Sequence, residues 1–392
     1  MSRVGKRGEG CGRIWVVALV AIGVLIAAGR VWAAEPYKIG AVFSVTGPTS
    51  FLGEPEKKTA EMIAEEVNKQ GGINGHPLEL IVVDDESDAT KCNIAVKKLL
   101  KQSEVPVIIG PSGSGQSLAV VGVAEEAQVP LISCAASYKI VTPIESRKWV
   151  FKVAGSDSHV VGKLYDHMKS KGIKKIAVMS ASDGFGGSGR EELLRLAGEN
   201  GLEVVADERY NPQDTDLSAQ LTKIRSAQPQ AIVNWSTGPT QILAVKNWRD
   251  LGMSSIPLYQ SHGFGSRKNL QLAGEAAEGV LLALARVNVG PLLSDQDPQK
   301  KVIMEYTKAY EERFKEPISS FGGHAWDSMQ LAIAALKAVG PNPAKIRDFL
   351  ENTKGFVGQH GIFNFSAQDH NGLSKDDLLM VVVKKGDWAL AQ

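Results

Sequence analysis

The stretch SASDGFGGSGREELLRLAGENGLEVVADE, Ser180–Glu208, decides which kind of α/β fold the chain adopts. The apolar run KKIAVMS leads into it, and Gly184, Gly186 and Gly189 then spell G-x-G-x-x-G. A helix pattern follows, and LEVVAD closes the stretch as a second apolar strand. Strand, glycine turn, helix and strand make a βαβ unit, with Glu203 and Asp207 about twenty positions on, as in a dinucleotide fingerprint. Two readings fit these residues. The glycines either cradle a nicotinamide cofactor or serve the tight strand-to-helix turn that any doubly wound sheet contains.

The same alternation runs in both directions from this unit. Upstream, YKIGAVF, LELIVVDD, VPVIIG, VPLISC and WVFKVA are apolar runs separated by helix patterns, the first with Ala60, Ile63, Ala64 and Val67 on one face. From KKIAVMS onward, LEVVAD, AIVNW, IPLYQS and GVLLALA complete a second set of five. Continuous apolar runs, as opposed to alternating ones, mark parallel strands covered on both faces. Two successive five-strand α/β units predict two doubly wound parallel-sheet lobes. The tail differs: helix patterns over 298–315, 320–339 and 343–353 run together, and only GIFNF and LLMVVVKKGDW read as extended. Such a tail needs sheets that already exist, so it is expected to return across the lobes.

The amino terminus carries basic residues and then IWVVALVAIGVLIAA, Ile14–Ala28, an apolar run too short to span a bilayer comfortably. Val31 and Ala33 supply the small residues of a signal-peptidase site, so 1–33 is expected to be a signal peptide cleaved after Ala33, with a periplasmic product. Five of the 44 basic and one of the 43 acidic residues lie in that segment, which leaves a net charge of −3 over the remaining 359 residues. No nucleic acid or membrane surface is expected as a partner at that charge. Of the two cysteines beyond the segment, Cys92 falls on the apolar face of a helix and Cys134 ends a strand. Both read as small buried residues in preference to a disulfide pair.

Ligands of open parallel sheets bind beyond the carboxyl ends of the strands, so the loops there are where chemistry is sought. PSGSGQS after the third strand and AASYKIVT after the fourth offer hydroxyls and free backbone N–H groups at helix starts, a setting for a carboxylate or phosphate. The matching loops of the second unit, ASDGFGGSG, STGPT and SHGFGS, bring Phe185, Thr237 and His262. Catalytic patterns are weak. GGSGR around Ser188 lacks the last glycine of G-x-S-x-G, and the seven histidines are scattered without H-E-x-x-H or C-x-x-C. No metal and no cofactor is expected. Apart from His262, the histidines read as surface or loop residues.

IGAVFSVTGPTSFLG, NKQGGINGHPLELIVVDDESD, VPVIIGPSGSG, VPLISCAAS, FGGSGREELL, AGEAAEGV and GIFNFSAQDHNG follow one another over nearly all of the chain beyond residue 33. In this order and spacing the chain resembles the periplasmic solute-binding proteins of branched-chain amino acid-type ABC importers, which share the type I binding-protein fold. The resemblance implies a non-enzymatic, monomeric receptor that closes on a small molecule and hands it to a membrane permease. It also implies that Phe185 packs on ligand, so that the glycines beside it shape a turn. By the same matching, Ser114 holds the ligand carboxylate, Ala136 and Ser137 belong to the loop that holds carboxylate and ammonium groups, and Leu52 replaces a tryptophan of the ligand wall. His262 stands where amino acid binders place an acid, and Gly238 or Pro239 where they place a tyrosine. A ligand with a carboxylate and an apolar or aromatic body is therefore expected, with its ammonium optional unless another carboxylate such as Asp157 serves it. The disulfide of some relatives falls at Ser87 and Gly113 and is absent. Lobe crossings are implied near Gly155, Arg286 and Gly361, which divides the chain into 37–155 plus 287–361 and 156–286 plus 362–392. A sensory receptor that presents its closed form to a membrane protein would need the same features. A dehydrogenase is the remaining, more distant reading.

Overall fold

The computed structural model describes residues 34–391 together with residues 1, 2 and 5. The rest of the expected signal peptide therefore lies outside the described residues. Two parallel sheets organise the chain. The first contains β1 (Tyr37–Phe43), β2 (Leu78–Asp84), β3 (Ile108–Ile109), β4 (Leu131–Ser133) and β5 (Val150–Lys152), in the order β2-β1-β3-β4-β5. The second contains β6 (Lys175–Ala181), β7 (Glu203–Tyr210), β8 (Ala231–Trp235), β9 (Leu258–Gln260) and β10 (Leu281–Ala285). It repeats the same order as β7-β6-β8-β9-β10, then continues through the antiparallel hairpin β13 (Leu378–Lys384) and β14 (Asp387–Leu390). All ten strands expected from the apolar runs form, and each lobe is doubly wound.

The helices that follow these strands are α1 (Ser50–Lys69), α2 (Ala89–Lys98), α3 (Ser114–Ala127), α4 (Asp157–Ser170), α5 (Gly184–Glu199), α6 (Ser218–Ser226), α7 (Pro239–Asp250) and α8 (Arg267–Ala273). The tail adds α9 (Lys300–Phe314), α10 (Ser320–Val339), α11 (Pro343–Glu351) and the short hairpin of β11 (Phe356–Val357) and β12 (Ile362–Phe363). Each face of the first sheet has its own core. Val42, Cys92, Val96 and Val120 fill one, while Phe43, Ala60, Met329 and Leu336 fill the other. Thus α10 returns to cover the amino-terminal lobe beside α1, as a tail without a sheet of its own must. Cys92 and Cys134 are free and buried.

The chain leaves the first sheet after β5, leaves the second after β10, and re-enters the second at β13. That last passage comes later than the expected switch near Gly361. Phe363 and Phe365 are fully buried in the amino-terminal core together with Leu373. Phe365 meets Phe151 edge-on at 5.7 Å, His370 stacks on the same ring at 4.1 Å, and the His370 carbonyl accepts from Lys152 N (3.0 Å). Residues 362–373 thus cover the open edge of β5. Burying a phenylalanine contributes about 1.5–3 kcal/mol, which outweighs an earlier exit of the chain. The passage follows Leu373. At that boundary Arg286 bonds Asp297 (3.0 Å) and the Asp376 carbonyl (3.2 Å), which ties two passages together.

The three fingerprint glycines have three separate steric causes. A β-carbon on Gly186 would overlap the Ala181 carbonyl one turn back, and one on Gly189 would overlap the indole of Trp235. One on Gly184 would lie 2.8 Å from Gly115 N, in the opposite lobe. Gly187, by contrast, has nothing within 4 Å of such an atom. We therefore expect Gly189→Ala to lower stability by about 1–3 kcal/mol through overpacking, whereas Gly187→Ala should be neutral or stabilising because alanine favours the helix. Urea titrations of the two variants check this. Equal midpoints would refute the packing role of Gly189.

Candidate functional site

Within each sheet the strand order reverses beside one central strand: between β1 and β3 in the first, between β6 and β8 in the second. Loops at such switch points diverge and leave a crevice. The two crevices face one another across a cavity of about 340 Å³. From the amino-terminal lobe it receives Pro48, Thr49 and Leu52 after β1, Ser112–Gln116 after β3, and Cys134–Ala136 after β4. From the other lobe come Asp183, Gly184 and Phe185 after β6, Thr237 after β8, and His262 and Gly263 after β9.

Two helix N-termini meet here. α3 begins at Ser114 and α5 at Gly184, and the backbones approach closely enough that only glycine fits at 184. The first N–H groups of a helix have no intrahelical acceptor and carry the positive end of the helix dipole. The cavity is therefore supplied with backbone donors, and among the described residues no lysine or arginine lines it. Asp183 caps α5, its Oδ1 accepting from Gly186 N at 2.7 Å. Burial raises the pKa of its carboxyl, against the lowering effect of the Gly186 and Phe185 amides.

Most of the residues expected at the site do line this cavity: Leu52, Ser114, Ala136, Phe185, Thr237 and His262. Phe185 and His262 meet edge-on at 5.3 Å, and each lies within 6 Å of the Trp235 ring, so aromatic faces build one wall. Ser114 Oγ accepts from Ser137 N (3.3 Å), which links the two serine loops.

Three expected placements differ. Ser137 is fully buried beside the cavity, and its Oγ pairs with Ser188 Oγ of the other lobe at 2.7 Å. Gly238 caps α7 at φ +78°, and an added β-carbon would lie 3.0 Å from the Phe51 ring across the cleft. It seals the boundary between the lobes, and neighbouring Thr237 takes the lining position. Asp157 also lies behind the wall, accepting from Ser188 Oγ (2.5 Å). The relay Ser137–Ser188–Asp157 therefore spans the boundary between the lobes. Beside it, the buried Lys152 donates to the carbonyls of Ala136 (3.1 Å) and Ala154 (2.7 Å) and steadies the Ala136 loop. Burial draws the Lys152 ammonium below its ordinary range and pushes the Asp157 carboxyl above its own, each charge partly offsetting the shift of the other.

The wall contains more than the strand-end loops. Phe321 and His324 at the start of α10, and His360 ahead of β12, also line the cavity. His324 and His360 are buried and stack at 3.9 Å; His360 lies in a loop, as expected, whereas His324 sits on α10, contrary to the expectation of a surface or loop position. His370 is buried as well, against Phe151. A search confined to strand-end loops misses His324 and His360 because α10 follows another helix. A usable signal was present in SFGGHAWD, where Gly322 and Gly323 leave room for close approach: a β-carbon on Gly323 would lie 2.9 Å from His360 Cε1.

Comparison with known proteins agrees with this architecture. The profile of the periplasmic binding protein family matches residues 36–387. The leucine-, isoleucine-, valine-, threonine-, and alanine-binding protein of Pseudomonas aeruginosa is 26% identical over 323 residues, covering 81% of this chain and 83% of its own. An extracellular ligand-binding receptor from Rhodopseudomonas palustris HaA2 matches with a TM-score of 0.85 at 29% identity, over 91% of this chain and 100% of that one. The substrate binding protein LivJ of Streptococcus pneumoniae, solved with isoleucine, gives a TM-score of 0.79 at 26% identity, over 91% and 99% of the two chains. These relatives are binding proteins and receptors, not enzymes, so the dehydrogenase reading of the glycine turn falls away. Two doubly wound lobes facing one cavity, and a profile match over nearly the whole described chain, place it plainly: it belongs to the periplasmic binding protein family.

Proposed function

We propose that the protein is the extracytoplasmic substrate-binding component of an ABC importer, which encloses a small carboxylate between its lobes and presents it to a membrane permease. The observation that carries this reading is the pair of helix N-termini, Ser114 from one lobe and Gly184 from the other, converging on an otherwise apolar cavity. Such a site holds one anionic group by backbone N–H donors and leaves the remainder to packing. In this reading Ser114 and the Ala136 loop hold the carboxylate, and Leu52, Phe185 and Phe321 enclose the body. Ser137 and Gly238 act at the boundary between the lobes. The kinship with leucine-, isoleucine- and valine-binding proteins supports an amino acid or a related acid as ligand.

The ammonium group separates those two choices. Neutral imidazole brings no negative charge, and burial draws the pKa of His262 down to about 3, so this ring stays uncharged. Among the described residues, Asp183 is the acidic side chain lining the cavity, and it already caps α5. An acid without an α-amino group loses nothing at His262. We therefore expect 2-oxo and arylacetic acids to stabilise the protein at least as well as leucine or valine. Ligand at a hundred times its dissociation constant adds about 2.7 kcal/mol, which a thermal-shift panel resolves. A strong shift with leucine and none with the matched acids would refute the argument from His262.

Two substitutions locate the carboxylate. A hydrogen bond to a charged group contributes about 1.5–3 kcal/mol and a neutral one about 1 kcal/mol. Ser114→Ala should therefore weaken binding about tenfold or more, and Ser137→Ala, which removes the bonds to Ser188 Oγ and from Lys139 N, about fivefold. Both should melt near the wild-type temperature. Calorimetric titration showing both variants at wild-type affinity would displace the carboxylate from these loops.

A further inference from the structure

Resting on that reading of the cleft, we propose that Gln116 is a further ligand-contacting residue. Its side-chain amide donates to an oxygen on the carbon next to the ligand's carboxylate, so the ligand class favoured is a 2-oxo or 2-hydroxy acid. Gln116 is the third residue of α3, two positions after Ser114, and it lines the cavity while nine-tenths buried. Its amide makes no hydrogen bond among the described residues. Neighbouring polar groups of the wall differ. Thr49 Oγ1 bonds Ser87 Oγ (2.8 Å), and Ser112 Oγ accepts from Ser44 N (3.0 Å). Thr237 Oγ1 and the Nδ1 atoms of His262 and His324 lack partners but are closed off beneath the surface, whereas neither amide atom of Gln116 is closed off in this way. Polar groups so deeply buried are nearly always hydrogen-bonded, and one left accessible on a cavity wall is placed to meet a ligand.

The packing at Gly113 decides which end of the amide is offered. A β-carbon on Gly113, the residue that precedes α3, would lie 2.2 Å from Gln116 Oε1, 3.0 Å from Cδ and 3.5 Å from Nε2. The side chain therefore folds back over the start of its own helix, and Gly113, which lines the same cavity, leaves the space for it. The amide oxygen faces the glycine Cα–H, a weak but favourable contact, whereas the reverse orientation would press amide hydrogens against that hydrogen. Nε2 is left as the free end, and an amide nitrogen only donates. That donor belongs to the same helix start as Ser114, to which the carboxylate is assigned. A ketone or hydroxyl oxygen on the next ligand carbon can accept from it. An α-ammonium in the same position cannot, because it has no lone pair to offer. The apolar lining of Leu52, Phe185 and Phe321 remains for the ligand body.

Titration calorimetry with α-ketoisocaproate and isocaproate tests this, because the two acids share the leucine skeleton and differ only in the 2-oxo group. One neutral hydrogen bond corresponds to about fivefold in affinity, so the 2-oxo acid should bind about fivefold more tightly. Gln116→Met, which keeps the length of the side chain and removes the donor, should bring the two acids to equal affinity. The wild-type comparison stands even if the variant fails to fold. Equal wild-type affinity for the two acids would overturn the proposal and leave the carboxylate reading intact. A preference that survives in the variant, or a variant that weakens both acids alike, would also overturn it, by assigning the oxo group to another donor or the amide to the carboxylate itself. Binding of neither acid would overturn the reading of the cleft and the proposal with it.

Discussion

The structure depends on one constraint: two helices, α3 and α5, start from opposite lobes and bring their N-termini together with no side chain between them. Gly184 and Gly115 meet backbone to backbone, and a single added carbon at 184 would lie 2.8 Å from the opposing amide. Parallel strands make this arrangement available, because every strand delivers its chain to the same edge and every helix begins there with unpaired N–H groups. Facing two such edges concentrates backbone N–H donors in the gap, while the buried Lys152 ammonium stands behind the wall, held by the carbonyls of Ala136 and Ala154. A buried ammonium or guanidinium would need a partner of its own. The backbone donors do not, because they are already fixed by the helices that carry them.

Around that gap the polar groups fall into two shells with different tasks. Ser114, Ala136 and Thr237 face the cavity, whereas Ser137, Ser188 and Asp157 form a relay behind it that joins the lobes. The buried Lys152 holds the Ala136 loop from beneath through two carbonyls. Contacts between lobes therefore sit directly against groups facing the ligand space. A small displacement on either side is felt on the other because the packing between them is tight.

The glycine turn of α5 shows how far a motif can mislead when taken without its surroundings. G-x-G-x-x-G after a strand fits a pyrophosphate site, yet each glycine here answers to a different neighbour: the Ala181 carbonyl, the Trp235 ring and the opposite lobe. The spacing is the same because both uses share a tight turn and a close helix-to-sheet approach. Phe185, between the first two glycines, projects an aromatic ring onto the wall where a dinucleotide turn would need open backbone.

Local periodicity by itself determined the ten parallel strands, the helices between them and the two-lobed plan, because a doubly covered strand must be apolar throughout and each helix must bury one stripe. Strand-end loops also pointed to Phe185, Thr237, His262 and the two serine loops that hold Ser114 and Ala136, whereas Leu52 came only from the family resemblance; all of them line the cavity. Tertiary structure alone decided the rest. Ser137 and Gly238 turned from the cavity to the boundary between lobes because their neighbours across the cleft, Ser188 and Phe51, are remote in sequence. Residues 362–373 remained with the amino-terminal lobe because Phe363 and Phe365 find their core there. His324 and His360 became part of the wall because the tail helices fold back over a sheet completed some two hundred residues earlier. No local pattern records such a return. It follows from apolar faces that only the finished lobe can cover.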